Sequence, residues 1–323
     1  MRGNSKQILI LTSLLLAVSN CFGFSAFINT NIREMPGSYL AVVSQADGFV
    51  AITNDGRIDW ISDKGTVTKT KSIKGEELQT ALICKRQLIV SGVQGSLFYS
   101  ENDTTFTKID CGATQTIKCL AQFENQMIAG CGGGELRIGN PGNPFKSIRL
   151  ELKGNIVSLS SGASGCYGLT DRGEIIYTTD GLNWTIFDFN DVYKGYYKAC
   201  SFVKILAAAN QIVVAGKNED GLPVLFFSSK GNVWSERPLI YTDEKGFNAD
   251  LVDIPNDIYY DNSKDQFILV CTNGKLMTIP SCSHCNKLYE ISGNNLTGIS
   301  GNENNIIVVG DNNYFRIITA NEL

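Results

Sequence analysis

The chain has one histidine, His284, in 323 residues. Catalysis of the Ser-His-Asp or Cys-His kind needs an imidazole as base, so any such site would have to be built on that single residue. Helical periodicity is missing beyond the N-terminal segment, which excludes a bundle or an alternating α/β plan. No apolar run after residue 23 is long enough to cross a bilayer as a helix. Basic charge is in deficit, with 28 Lys and Arg against 32 Asp and Glu, a net charge of −4. That balance argues against nucleic acid or an anionic membrane as the main partner, because both reward a basic face. Nothing in the pattern calls for a cofactor.

What is present begins with a targeting segment. Arg2 and Lys6 precede an apolar run of 11 residues at 8–18 (ILILTSLLLAV). Small residues follow, so residues 1–23 read as a signal peptide cleaved after Cys21 or Gly23. The mature chain, 24–323, is then a single exported domain, secreted or periplasmic, and a monomer. A lipid anchor on Cys21 is the alternative, and Asn20 before it fits that poorly. Nine cysteines follow Cys21. In an exported protein they can pair, but an odd number leaves at least one over. Apart from Cys131 and Cys271 they ignore the repeat described next, which suits buried small apolar side chains as well as a disulfide framework.

The repeat organises everything else. Gly56, Gly95, Gly134 and Gly173 are each 39 residues apart, with later copies near Gly221, at Gly274 and at Asn313. After each start comes an apolar strand, a polar turn and a bulky residue, Phe106, Phe145 and Trp184 being the clear cases. In the second copy, 96–100 (SLFYS), 106–109, 117–123 (IKCLAQF) and 126–130 (QMIAG) read as four strands, the first of them innermost. Four-stranded units repeated at this period make a β-propeller. Residues 38–43 and 48–53 lack preceding partners and 313–320 lacks following ones. Pairing of the chain ends therefore completes a seventh blade and shuts the ring. Two steps are long, Gly173 to Gly221 (48) and Gly221 to Gly274 (53), which places insertions at 190–202 and about 241–255, rising on one face.

One turn carries a recognisable pattern. Thr178, Asp180, Gly181 and Trp184 resemble the Asp-box turn of bacterial-neuraminidase-type repeats and of Ycf48-like propellers, one residue short between Asp and Trp. The fifth copy keeps Gly231 and Trp234 but has Lys230 for Asp. In that turn the polar side chain collects backbone amides and the aromatic packs between sheets, so these residues are structural first. The resemblance implies a propeller from about residue 25 to the end. From Ycf48-like proteins it implies a scaffold role, and from sialidases it implies a glycosidase with an arginine clamp.

Two readings of function are weighed on this frame. The preferred one is non-catalytic binding of a protein or glycan through the loop face of blades four and five. Tyr193, Tyr196 and Tyr197 on one insertion, with Tyr241 and Phe247 on the other, would supply the contacts, or would instead fold down to cap their own blades. Arg57, Arg137 and Arg172 lie near blade starts and would ring the channel mouth. The alternative is a sialidase-like hydrolase, which those arginines would also serve, though no paired carboxylates can be placed. Cys282, His284 and Cys285 form a further cluster, read mainly as a local disulfide between Cys282 and Cys285 or as an enlarged turn. A redox pair would need a helix N-terminus that a propeller turn lacks, and a metal site has no visible fourth ligand.

Overall fold

A computed structural model of the chain describes residues 37–323 apart from 104, 282–284 and 320–321. Residues 1–23, expected to be a signal peptide, with Cys21 among them, and Cys282 and His284 lie outside the described residues. Those described belong to one unit, Pro36–Leu323.

The second strand of each repeat explains the architecture best. Gly48–Thr53, Gly165–Thr170 and Gln266–Cys271 are buried at every position. A strand with both faces apolar must lie between two neighbouring sheets, so it dictates sheets stacked face to face. First strands such as Leu78–Cys84 and Pro255–Asp261 alternate buried and half-buried positions, because one side faces an axial opening. Fourth strands such as Val67–Ser72 are mostly exposed and form the rim.

Seven antiparallel sheets result. Six have four strands in chain order, and the seventh has three among the described residues. Each first strand packs on the first strand of the next sheet, and Leu296–Gly301 packs back on Tyr39–Gln45. The chain is a seven-bladed β-propeller.

The phase of the blade differs from the sequence expectation. The strand after the repeat glycine, Leu97–Ser100 in the second copy, is third in its sheet. Ile117–Phe123 is the innermost strand of the third blade. The repeat fixes a spacing and leaves open where the chain steps from one sheet to the next. Tyr39–Gln45 and Gly48–Thr53 therefore open a complete first blade rather than finishing the last one. A fourth strand for the seventh blade, and any pairing of the chain ends, lies outside the described residues. Within them, blades one and seven meet side by side. Thr297 Oγ1 donates to the Tyr39 carbonyl at 2.6 Å, and Tyr39 and Phe315 lie edge to face at 6.3 Å.

All seven first strands carry a β-bulge, at the second position in six of them and at the fourth in Cys200–Ala208. Leu40, Gln79, Lys118, Val157, Val203, Asn256 and Thr297 each fall between two paired neighbours. All seven line the axial channel. A bulge bends its strand and re-aims a side chain. Here it does so seven times, near the edge of the ring that also carries the repeat glycines.

Seven cysteines are buried thiols: Cys84, Cys111, Cys119, Cys131, Cys166, Cys200 and Cys271. They act as small core residues. Burial pushes the Cys131 and Cys200 thiols up to about 12 and Cys166 up to about 11. Alkylation depends on thiolate, so these seven should resist iodoacetamide in the native protein at pH 8 and react on unfolding. Mass spectrometry of the labelled protein checks this, and fast native labelling of Cys200 or Cys131 would contradict it.

Candidate binding face

Both insertions join the fourth strand of one blade to the first strand of the next. After Asp188 the chain makes one helical turn, Phe189–Val192, with Asp188 capping it by accepting from the Asp191 amide at 3.1 Å. Phe189 is fully buried and centres an aromatic plug. Its ring lies 4.9 Å from Tyr193, 5.1 Å from Phe202 and 4.7 Å from Phe226, with Tyr197 stacked at 6.2 Å. The Tyr193 hydroxyl accepts from the Trp234 amide at 2.7 Å. Asn190 stitches the loop down, donating to the carbonyls of Arg172 and Cys200 and accepting from the Cys200 amide. The insertion therefore runs down the seam between blades four and five instead of rising from a face. Trp234 belongs to the turn at the opposite edge.

The second insertion does the same one seam further on. Leu239 and Leu251 are buried between blades five and six, with Tyr241 packed on them. Between them a hairpin pairs Ile240–Thr242 with Asn248–Asp250. Its base is tied to blade six, where Asn286 Nδ2 donates to the Ile240 carbonyl at 2.8 Å and Arg237 Nη2 to the Pro280 carbonyl at 2.8 Å. Asp243 Oδ1 accepts from the amides of Lys245 and Phe247 at 2.9 Å each, holding the tip in an Asx turn.

The five aromatics expected on the loops thus divide. Tyr193, Tyr197 and Tyr241 face the core. Tyr196 is 84% exposed and Phe247 67% exposed. Periodicity could not separate these groups, because the insertions lie outside the repeat. The arginines divide too. Arg57 is 6% exposed and paired with Asp59, so it does not ring the channel mouth. Arg137 Nη2 is held by Glu135 at 2.6 Å and by the Gly112 carbonyl at 2.6 Å. Arg172 is exposed. Burial beneath the seam of blades one and seven explains Arg57: the position after the repeat glycine leans on the adjacent blade, where its guanidinium donates to Asn313.

The turns at Thr178 and Ser228 gather backbone amides on a side-chain hydroxyl. Thr178 Oγ1 accepts from the Gly181 amide at 2.9 Å, and Ser228 Oγ from the Gly231 amide at 2.8 Å. Gly181 and Gly231 sit at φ +73° and +79°, where a β-carbon is strained. Trp184 packs against the core of blades three and four, and Trp234 is buried between blades four and five. Asp180 accepts from the Asn183 and Leu182 amides at 2.8 Å each and from the Asn183 side chain at 2.7 Å. These bonds hold its carboxyl well below the usual range. A depressed folded pKa gives stability that is present above the unfolded value and lost as pH falls toward the folded one. In an NMR titration the Asp180 carboxyl carbon should therefore turn over at lower pH than in an unfolded peptide of the same sequence. An equal midpoint would mean the turn does not hold the anion. Cys285 is exposed, and its pairing with Cys282 lies outside the described residues.

Sequence reasoning missed two features. One is the set of exposed aliphatics in the same stretch of chain as Tyr196 and Phe247: Val192, Leu222 and Val252, with Val233 in the turn at the opposite edge, are each more than half exposed. The other is the channel lining, hidden because the blade was read two strands out of phase. Aligning the repeats on their second strands would have brought the seven bulge positions into one column.

No protein-family model and no curated protein matches the chain. Among solved structures, the crystal structure of the computationally designed Ika8 protein superposes with a TM-score of 0.62 at 11% identity. The match covers 89% of this chain and 98% of that one. At that identity the likeness concerns the fold alone.

Proposed function

We propose that this chain is an exported, non-catalytic propeller that docks a protein partner on the outer sector of blades four to six. One observation carries the reading. Of the ten exposed large apolar side chains among the described residues, nine lie outside the channel between Leu182 and Val252, and the tenth, Val203, lines the channel. Scattered exposed apolar residues are ordinary, but confinement to one sector is the mark of an interaction surface. Most of the ten are aliphatic, which favours a protein surface over a sugar, with Tyr196 and Phe247 as the aromatic anchors. The Asp-box resemblance is supported by the turn geometry at Thr178 and Ser228, and the scaffold role remains what that resemblance implies. A sialidase-like clamp is disfavoured, because Arg57 is buried and Arg137 is already paired.

The test compares capture of partners by the parent and by a Tyr196→Ser/Phe247→Ser variant, followed by cross-linking of the retained protein. Both residues are exposed, so the variant should match the parent in stability within about 0.5 kcal/mol. A partner cross-linked to residues 182–252 and lost by the variant supports the reading. Equal retention, or cross-links to other blades, defeats it. A glycan-array screen of the same pair gives the second arm, since a Tyr196-dependent glycan signal would replace the protein partner with a sugar. N-terminal sequencing of the protein released from its source cells tests export, with a start just after Cys21 or Gly23 expected.

A further inference from the structure

The axial channel is lined by the first strands of all seven blades. It encloses about 250 Å³, room for roughly eight waters. Its charged side chains are Lys118, Lys204 and Asp257. Lys204 Nζ lies 2.7 Å from Asp257 Oδ1, across the seam of blades five and six. Asp257 is also satisfied by the backbone, accepting from the Ile258 amide at 2.8 Å and the Ile299 amide at 3.1 Å. That pair is closed. Lys118 has no ion-pair or hydrogen-bond partner among the described residues, so the channel holds one uncompensated positive charge in a chain whose net charge is −4.

Hydroxyl residues from the two flanking strands line the channel with Lys118. Thr80, on the first strand of blade two, lines the channel. Ser158, on the first strand of blade four, accepts from the Ile205 amide at 3.2 Å, which leaves its own proton to give. These two strands flank the one that carries Lys118. Lys118 occupies the bulge, with Ile117 paired to Cys131 and Cys119 to Gly130 on either side. An ammonium and two hydroxyls within a walled opening form a donor set for an oxyanion, and low-dielectric walls strengthen its pull.

We infer that the channel mouth is a binding site for a carboxylate or phosphate group, held by Lys118 with Thr80 and Ser158. The site does not depend on the apolar sector of blades four to six, so it stands or falls separately. Its size admits the anionic head of a small acid or of an extended ligand, and excludes a folded domain.

The test uses the whole mature chain with its lysines reductively methylated with ¹³C, which keeps their charge. The methyl resonance missing from a Lys118→Met variant identifies Lys118. Succinate and inorganic phosphate are then titrated in separate arms against a sodium chloride control at equal ionic strength. A saturable shift of the Lys118 signal is expected in the millimolar range or below for at least one anion. The arm that responds distinguishes carboxylate from phosphate. Calorimetry should show affinity falling at least about tenfold in Lys118→Met and retained in Lys118→Arg, because a charge-assisted contact is lost in the first and kept in the second. Lys118 is half-exposed on a bulge, so both variants should unfold at the parent's temperature. A shift no larger than the chloride control, or equal affinity in Lys118→Met, overturns the inference.

Discussion

Gly274→Ala should yield little or no folded protein. Gly274 has φ +68°, and a β-carbon there would sit 1.7 Å from the Ser292 carbonyl oxygen and 2.4 Å from its carbon. The obstacle is backbone, so no side chain can swing aside. Left-handed strain alone costs an alanine about 1–2 kcal/mol. The overlap adds a displacement of the segment that leaves the fourth strand, taking the total beyond about 4 kcal/mol. Gly142→Ala is the control. Its φ is +83°, but nothing lies within 4 Å of the added carbon, so only the strain remains. Thermal unfolding of the two variants should differ widely. Near-equal midpoints would show that the turn moves freely and that the glycine is not required by its neighbour.

The same contact explains why the repeat glycine could be read at all. At Gly95 the carbon would meet the Ala113 oxygen at 1.9 Å, and at Gly134 the Leu150 oxygen at 2.6 Å. The carbonyls of Gly56, Gly134 and Gly274 each accept a backbone amide from the chain just past the fourth strand, at 2.9 Å in each case. At Gly56, Gly95, Gly134 and Gly274 the glycine recurs because backbone approaches backbone there, whereas at Gly173 the nearest atom belongs to the Asn190 side chain and at Gly221 nothing lies within 4 Å. The repeat and the blade number were therefore legible in the sequence. The phase was not, because the apolar runs that stand out are the doubly buried second strands, while the channel strands look ordinary. The insertions were legible as extra length only. Tyr193, Tyr196 and Tyr197 have the same composition signal, yet a hydroxyl bond to the Trp234 backbone draws the first into the seam and leaves the second in water. The seven channel positions pass unnoticed because leucine, glutamine, lysine, valine, asparagine and threonine share a place there and no chemistry.

Arg57→Met carries the second large effect, and it bears on how the ring is shut. Arg57 sits at the seam of blades one and seven with its guanidinium 5.3 Å from the Tyr39 ring centroid. Its Nε lies 3.2 Å from Asp59 Oδ2 as an ion pair, and its Nη2 donates to Asn313 of the seventh blade. Asp59 is 1% exposed and accepts from the Tyr39 hydroxyl and from Thr70 Oγ1, each at 2.7 Å. Burial, then the charge of Asp59, hold the Tyr39 phenol above its usual range, so it stays a proton donor throughout the working pH range. Removing the guanidinium leaves Asp59 charged, buried and short of its cation, which costs about 3–5 kcal/mol. Arg57→Met/Asp59→Leu removes both charges and should recover part of that loss, so a double-mutant cycle should show strong coupling. The loss should also be local: amide exchange should quicken in Tyr39–Gln45 and Phe315–Thr319 before the remaining blades. An arginine serving only as a ligand clamp at the channel mouth would behave oppositely, with stability and exchange unchanged on substitution. A loss under about 1 kcal/mol with no coupling to Asp59 would return Arg57 to that role and place the closure of the ring elsewhere.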